Sequence, residues 1–337
     1  MLDHWHPIYP SRSLRSRPAG IRLAGRQICL FRTSSGRVAA VDDVCPHRRL
    51  KLSVGTVVGD RIRCQYHGWE FDGCGNGESP GTPRLHTCTP SFDVREAHGY
   101  VWVKSRGSRA DFPDISPEGF FHIGNFRHTV PAPLELTVDN FTEIEHSGTV
   151  HRTFGYDLGR MSEVKVGFEV TADSVRVTNV GPTKQLFAPF ARLLGIRRGD
   201  LFHDEWTTRF SPVYSVYDHW WTSPDGAREA MVRWRLYMFF APTDPETTTV
   251  TSFVYARSRY PGPAGGLRLV KWLFRREIDR EIRRDVSMLE HLGDRSVGIE
   301  GLKLSRFDKV LGLTRERIAR IYRDDRGQRL KIADCAA

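Results

Sequence analysis

At 337 residues, with 39% hydrophobic and 11% aromatic residues, the chain is long enough for two domains of ordinary size and too apolar for global disorder. Its net charge of +10 comes from 50 basic residues interspersed with 40 acidic ones, with no long basic run. That mixture speaks against nucleic acid as a partner and for a solvated surface or one that steers an acidic protein partner.

The opening MLDHWHPIYPSRS has no basic flank followed by an apolar run, so a signal peptide is not expected. Residues 1–107 read as β-rich. Short alternating runs at 28–32, 38–41, 55–64, 66–71 and 100–103 are separated by Gly, Ser and Asp. Residues 73–83, GCGNGESPGTP, form a long loop by composition and lack the strand-to-helix setting of a nucleotide-binding glycine motif. A stretch with few apolar anchors, 105–118, separates this block from the rest, and the expected domains are 1–107 and 108–337.

In the second domain the spacing over 138–147 suggests a helix. Residues 164–255 alternate Thr, Val, Tyr and Phe as strands do, 261–266 is a loop, and 267–292 is the clearest helix. Strands followed by a long helix, without βαβ alternation, predict an α+β domain. The longest candidate for a membrane span, around 231–242, carries Arg233 and Arg235 and falls short of the ~20 apolar residues required. Six cysteines (29, 45, 64, 74, 88 and 335) are too few for a disulfide scaffold. A soluble cytoplasmic protein with metal-binding thiols is the expectation.

Two constellations carry chemistry. Cys45-Pro46-His47 is followed after sixteen residues by Cys64-Gln65-Tyr66-His67. A Cys₂His₂ set also serves structural zinc, but zinc favours arms of two cysteines or two histidines, whereas each arm here carries one of each. That pattern suits a [2Fe–2S] centre in which one iron takes both thiolates and the other both imidazoles.

The second constellation begins with His146 and His151, preceded by Asp139, Asn140, Glu143 and Glu145. On a regular helix positions five apart point about 140° apart, so both histidines reach one metal only where the helix bends or ends; Ser147-Gly148-Thr149 supplies a break. The third ligand follows from burial. Along 267–292 the apolar stripe runs through Ile278, Ile282, Leu289 and Leu292, and Asp285 falls on it. A carboxylate on a buried face is costly unless it is paired or metal-bound. His146, His151 and Asp285 therefore form a candidate 2-His-1-carboxylate site for Fe(II) with positions open to O₂.

The runs Cys45-Pro46-His47-Arg48 and Cys64-Gln65-Tyr66-His67-Gly68-Trp69, with the later Asn140, Glu143, His146, His151 and Asp285, resemble the Rieske non-haem iron oxygenases. The chain length resembles the vanillate demethylase and dicamba monooxygenase type. This resemblance implies an N-terminal all-β Rieske domain and a C-terminal helix-grip catalytic domain with an antiparallel sheet. It implies a terminal oxygenase that inserts oxygen into an aromatic or cyclic substrate, by hydroxylation or oxidative demethylation. Electrons would come from NAD(P)H through a partner reductase or ferredoxin. It also implies a homotrimer, with Glu143 bridging the two metal centres of neighbouring subunits. Glu145 and Asp139 are rivals for that role, and Asn140 is a candidate neighbour of the iron. Arg49 stands where the family usually has a small residue, either tuning the cluster, meeting the donor or merely solvated. The alternatives are an arene dioxygenase forming cis-diols and a Rieske electron carrier with a non-catalytic binding domain. Substrate and donor cannot be read from the residues.

Overall fold

The computed structural model describes residues 1–259 and 268–323; the expected loop 261–266 and Cys335 lie outside them. The described chain divides into two compact units, one of residues 1–113 with 241–245, the other of residues 114–240 and 246–323. The first division, at Pro113, falls inside the anchor-poor stretch rather than at 107.

The first unit is built from strands β1 (His6–Pro10), β2 (Ala19–Leu23), β3 (Arg26–Arg32), β4 (Val38–Asp42), β5 (Thr56–Val58), β6 (Arg61–Arg63), β7 (Glu70–Asp72), β8 (Asn76–Glu78), β9 (Thr87–Cys88), β10 (Phe92–Ala97) and β11 (Tyr100–Ser105). They form three antiparallel sheets in the orders β1-β11-β10, β2-β3-β4 and β5 through β9. β3 explains the layering. Ile28 and Leu30 enter one core with Ile8, Val101 and Val103, while Cys29 and Phe31 enter another with Val41, Leu52, Ile62 and Phe71. Successive side chains of a strand point to opposite faces, so a strand buried on both faces reads as an unbroken apolar run, as ICLF does.

The second unit contains β12 (Phe121–Val130), α1 (Leu134–Phe141), β13 (Lys165–Val170), β14 (Ser174–Pro182), α2 (Ala188–Leu194), β15 (Leu201–Phe210), β16 (Val213–Thr222), β17 (Val232–Asp244), β18 (Thr247–Ser258), α3 (Lys271–Glu290) and α4 (Lys309–Arg317). Its seven strands make one antiparallel sheet in the order β12-β18-β17-β16-β15-β14-β13. α3 packs on one face of it, where Phe274 meets Trp234 edge to face at 5.2 Å. The α+β expectation holds, an all-β unit followed by an antiparallel sheet with a long helix.

Three local expectations need correction. Residues 66–71 are mostly a turn, with only Glu70–Asp72 forming a strand. The helix expected over 138–147 ends at Phe141. There Thr142 turns its hydroxyl back to Val138 O at 2.8 Å, and the Glu143 carboxylate accepts the N–H groups of Glu145 and His146 in place of helix carbonyls. A separate short turn, Glu145–Gly148, then carries His146. α2 and α4 were not anticipated, because their short segments lack a sustained apolar period. Among the described residues no helix is long and apolar enough to cross a membrane.

Candidate cluster loops and metal centre

The Cys-X-His arm at 45–47 and the Cys-X-X-His arm at 64–67 fold as the same turn. Cys45 N–H donates to Leu50 O at 2.8 Å and Arg49 N–H to Cys45 O at 2.8 Å; Cys64 N–H donates to Trp69 O at 2.7 Å and Gly68 N–H to Cys64 O at 3.0 Å. The fifth residue of each turn is left-handed, Arg49 at φ 61° and Gly68 at φ 73°. Cys45 and Cys64 are 1% and 2% exposed and belong to the core around Phe31 and Ile62, whereas His47 and His67 stand exposed. The two imidazoles face each other at 4.4 Å between ring centres, and His47 stacks on Trp69 at 4.7 Å.

The donor set fits an iron–sulfur cluster. Burial pushes the Cys45 thiol up to about 11, backed by the neighbouring Cys64, so its thiolate is favoured only against a cationic partner.

In the second unit, the turn after α1 and one helical turn of α3 converge. His146 Nε2 and His151 Nε2 lie 3.1 Å apart, and Asp285 Oδ1 lies 3.3 Å from the first and 3.4 Å from the second. Asp285 is 5% exposed, and its Oδ1 lies in line with neither N–H and has no hydrogen-bond partner. Each imidazole is already committed at its other nitrogen. His146 donates from Nδ1 to Glu143, and His151 donates from Nδ1 to Glu281 Oε2 at 2.8 Å. The two Nε2 atoms therefore converge on each other and on a buried carboxylate oxygen, an arrangement that a cation satisfies. Burial opposes charge on His146, but Asp285 and Glu143 outweigh it and hold the imidazole up at about 10.

Further side chains hold this geometry. Glu281, 4% exposed, also accepts the N–H groups of Arg152 and Thr153 and is paired with Arg284. Lys184 Nζ donates to Ser147 O and His151 O, each at 2.6 Å, and pins the loop between the histidines. Glu281 and Lys184 were missed from the sequence. Glu281 had a signal, since it shares the buried stripe of Ile278, Ile282 and Asp285 on α3; Lys184 had none.

The rival acids separate. Asp139 is tied to Arg315 of α4, and burial raises its carboxyl to about 6 against that ion pair. Glu145 is exposed. Only Glu143 of the three touches an imidazole of the triad. Asn140 lies beside Glu143 in a groove on the outer side of His146, with Nδ2 unpartnered, and does not line the inner cavity.

That inner cavity, about 100 Å³, lies between α3 and the sheet. Alternate residues of three adjacent strands make its wall: Asp204 and Trp206 of β15, Tyr217 and His219 of β16, and Trp234, Leu236 and Met238 of β17. The register places Asp204 opposite His219 and His219 opposite Trp234, a single row across the sheet. Ile278, Glu281, Ile282 and Asp285 close it from α3. Of the buried aromatic residues Trp234, Phe239, Phe240, Phe253 and Tyr255 on β17 and β18, Trp234 lines this cavity and the other four pack elsewhere in the sheet.

The fold is thus that of a two-domain Rieske protein with a sheet-and-helix second unit, and residues 4–93 match the Rieske [2Fe-2S] domain family. Over 97% of its length the chain superposes on dicamba monooxygenase bound to 3,6-dichlorosalicylic acid, covering 99% of that chain at a TM-score of 0.78 and 19% identity. By sequence it is 28% identical to the oxygenase subunit of vanillate O-demethylase from Pseudomonas sp. over 230 residues, 63% of each chain. It is also 28% identical to protein TIC 55 of Arabidopsis thaliana over 188 residues, 52% of this chain and 35% of that one. The chain spans between about a third and two thirds of these curated relatives. The resemblance to oxygenases of the vanillate and dicamba type is borne out, and the [2Fe–2S] cluster is the cofactor of the first unit.

Proposed function

We propose that the chain is the terminal oxygenase of a Rieske system, a monooxygenase that hydroxylates or oxidatively demethylates a small ring-bearing substrate. The observation that carries this reading is the meeting of His146, His151 and Asp285 at the wall of an apolar cavity. An electron carrier needs no such cavity, and an electron carrier with a silent second unit leaves the orphaned Asp285 oxygen unexplained. Monooxygenation is favoured over cis-diol formation by the relatives, among them an O-demethylase subunit.

When bound, the mononuclear iron supplies O₂ activation and the cluster supplies electrons one at a time. The residues do the rest. Glu143 and Glu281 keep the two imidazoles in the tautomer that presents Nε2. Trp206, Trp234, Leu236 and Met238 exclude water and hold the substrate's apolar face. His47 and His67, both exposed, would hold the cluster's outer iron within reach of a reductase or ferredoxin, and Glu143 of a neighbouring copy would link that cluster to the second centre. Exposed Val297, Ile299, Leu302 and Leu304 after α3 give that copy an apolar seat in a homotrimer. A cytoplasmic setting suits the buried Cys29, a free thiol outside the cluster loops.

The test is turnover with a surrogate reductase and NADH. Substrate-dependent O₂ consumption by the native chain, and its loss in His151→Ala with the cluster spectrum intact, are expected. An active His151→Ala enzyme would refute the triad. Light scattering should give three times the 38.5 kDa chain mass.

A further inference from the structure

The cavity wall opposite Asp285 holds polar atoms that the protein leaves unsatisfied. Trp206 Nε1, Trp234 Nε1, Asp204 Oδ1 and both ring nitrogens of His219 are buried without a hydrogen-bond partner. His219 Nε2 lies 3.0 Å from Asp204 Oδ1, close enough to interact but out of line for a hydrogen bond. Native proteins rarely strand this many buried donors and acceptors together unless a ligand meets them.

The charge of the lining decides what that ligand is. Among the described residues no Lys or Arg lines the cavity, whereas the carboxylates of Glu143, Asp204, Glu281 and Asp285 do. Glu143, Glu281 and Asp285 belong to the metal centre. Asp204 stands apart from them on β15, and it cancels any positive charge that His219 carries. A carboxylate on a substrate would enter an apolar space beside Asp204 with no side-chain cation to pair it. A neutral hydroxyl or ring N–H meets no such penalty. It donates to Asp204 or to the imidazole, and a hydroxyl oxygen accepts from an indole N–H.

We infer that the substrate is an uncharged, mainly aromatic molecule whose hydroxyl or N–H group docks on the Asp204–His219 row of the sheet. This rests on the oxygenase reading of the site and adds the class of molecule it takes. Docking on the sheet wall leaves the opposite end of the molecule toward α3 and the metal ligands, so the row sets which carbon is presented.

The inference is tested by equilibrium dialysis of the full chain, cluster and iron loaded, with 2-naphthol, 2-naphthoate and naphthalene at pH 7. The naphthol should bind at least about tenfold more tightly than either of the other two, one good hydrogen bond or one avoided unpaired charge being worth about that factor. Asp204→Asn should narrow the gap between naphthol and naphthoate, and His219→Phe the gap between naphthol and naphthalene. Equal or tighter binding of naphthoate by the native chain, equal binding of naphthol and naphthalene, or no binding of any of the three would overturn the inference. Iron analysis on the same samples separates the two readings. A full complement of iron with a preference for the acid sinks only the substrate class, whereas absence of the mononuclear iron sinks the oxygenase reading itself.

Discussion

Arg49 and Gly68 hold the same place in two matching turns, and only one of them is suited to it. A left-handed backbone costs a residue with a Cβ about 1 kcal/mol relative to glycine. Arg49 carries that strain at φ 61° with its side chain exposed. Arg49→Gly is therefore expected to raise stability by about 0.5–1 kcal/mol in thermal or denaturant unfolding, with the cluster spectrum unchanged. A destabilised variant would mean that the guanidinium has a structural partner. The departure at this position was visible in the sequence, but its meaning was not, because a positive φ leaves no mark on a single arginine. Asp285 was legible for the opposite reason, since a carboxylate on an oily stripe contradicts its surroundings. Glu281 contradicts them equally and was passed over, as the search sought one missing ligand and stopped at it. Asp204 and His219 were beyond reach, because they become neighbours only through the register of β15 and β16.

At the scale of elements, one turn of α3 does two jobs. Asp285 presents an oxygen to His146 and His151, and Glu281, four residues earlier, fixes the ring of His151. Removing the carboxylate charge while keeping the shape, as in Glu281→Gln, is expected to lower Fe(II) affinity about 10- to 100-fold in a direct metal titration, without unfolding α3. Unchanged affinity would show that Lys184 and the backbone alone hold His151 in place. The long helix and the strands of the sheet were legible from their periods of 3.6 and 2. The end of α1 was not. The periodic run continues past Phe141, and it is the side chains of Thr142 and Glu143, bonding to the backbone, that stop the helix and free His146 to face His151. The run 66–71 read as a strand for a similar reason, since Tyr66 and Trp69 pack on His67 and His47 rather than joining a sheet.

At the scale of the whole molecule, the first unit carries an acid-sensitive anchor in its N-terminal strand. Burial holds His6 down at about 3, against a hydrogen bond to Met1 O at 3.2 Å that favours charge. The unfolded chain binds a proton near pH 6.5 that the folded chain refuses. The stability from this residue is therefore complete above that pH and falls as pH drops toward 3, by about 1.4 kcal/mol per unit. His6→Asn should show a smaller loss of melting temperature between pH 7 and 5 than the native chain; an identical loss would place the titration elsewhere. The two-unit plan and both metal constellations were present in the order of the residues, whereas the cavity belongs to the tertiary fold and appears only once helix and sheet are brought face to face.

The most direct measurement is the iron content of the native chain and of Asp285→Ala, read beside the visible spectrum of the cluster. Three iron atoms per native chain and two per variant chain, with identical cluster spectra, are the expected result. Two in the native chain, or three retained by the variant, would contradict a mononuclear iron centre completed by Asp285.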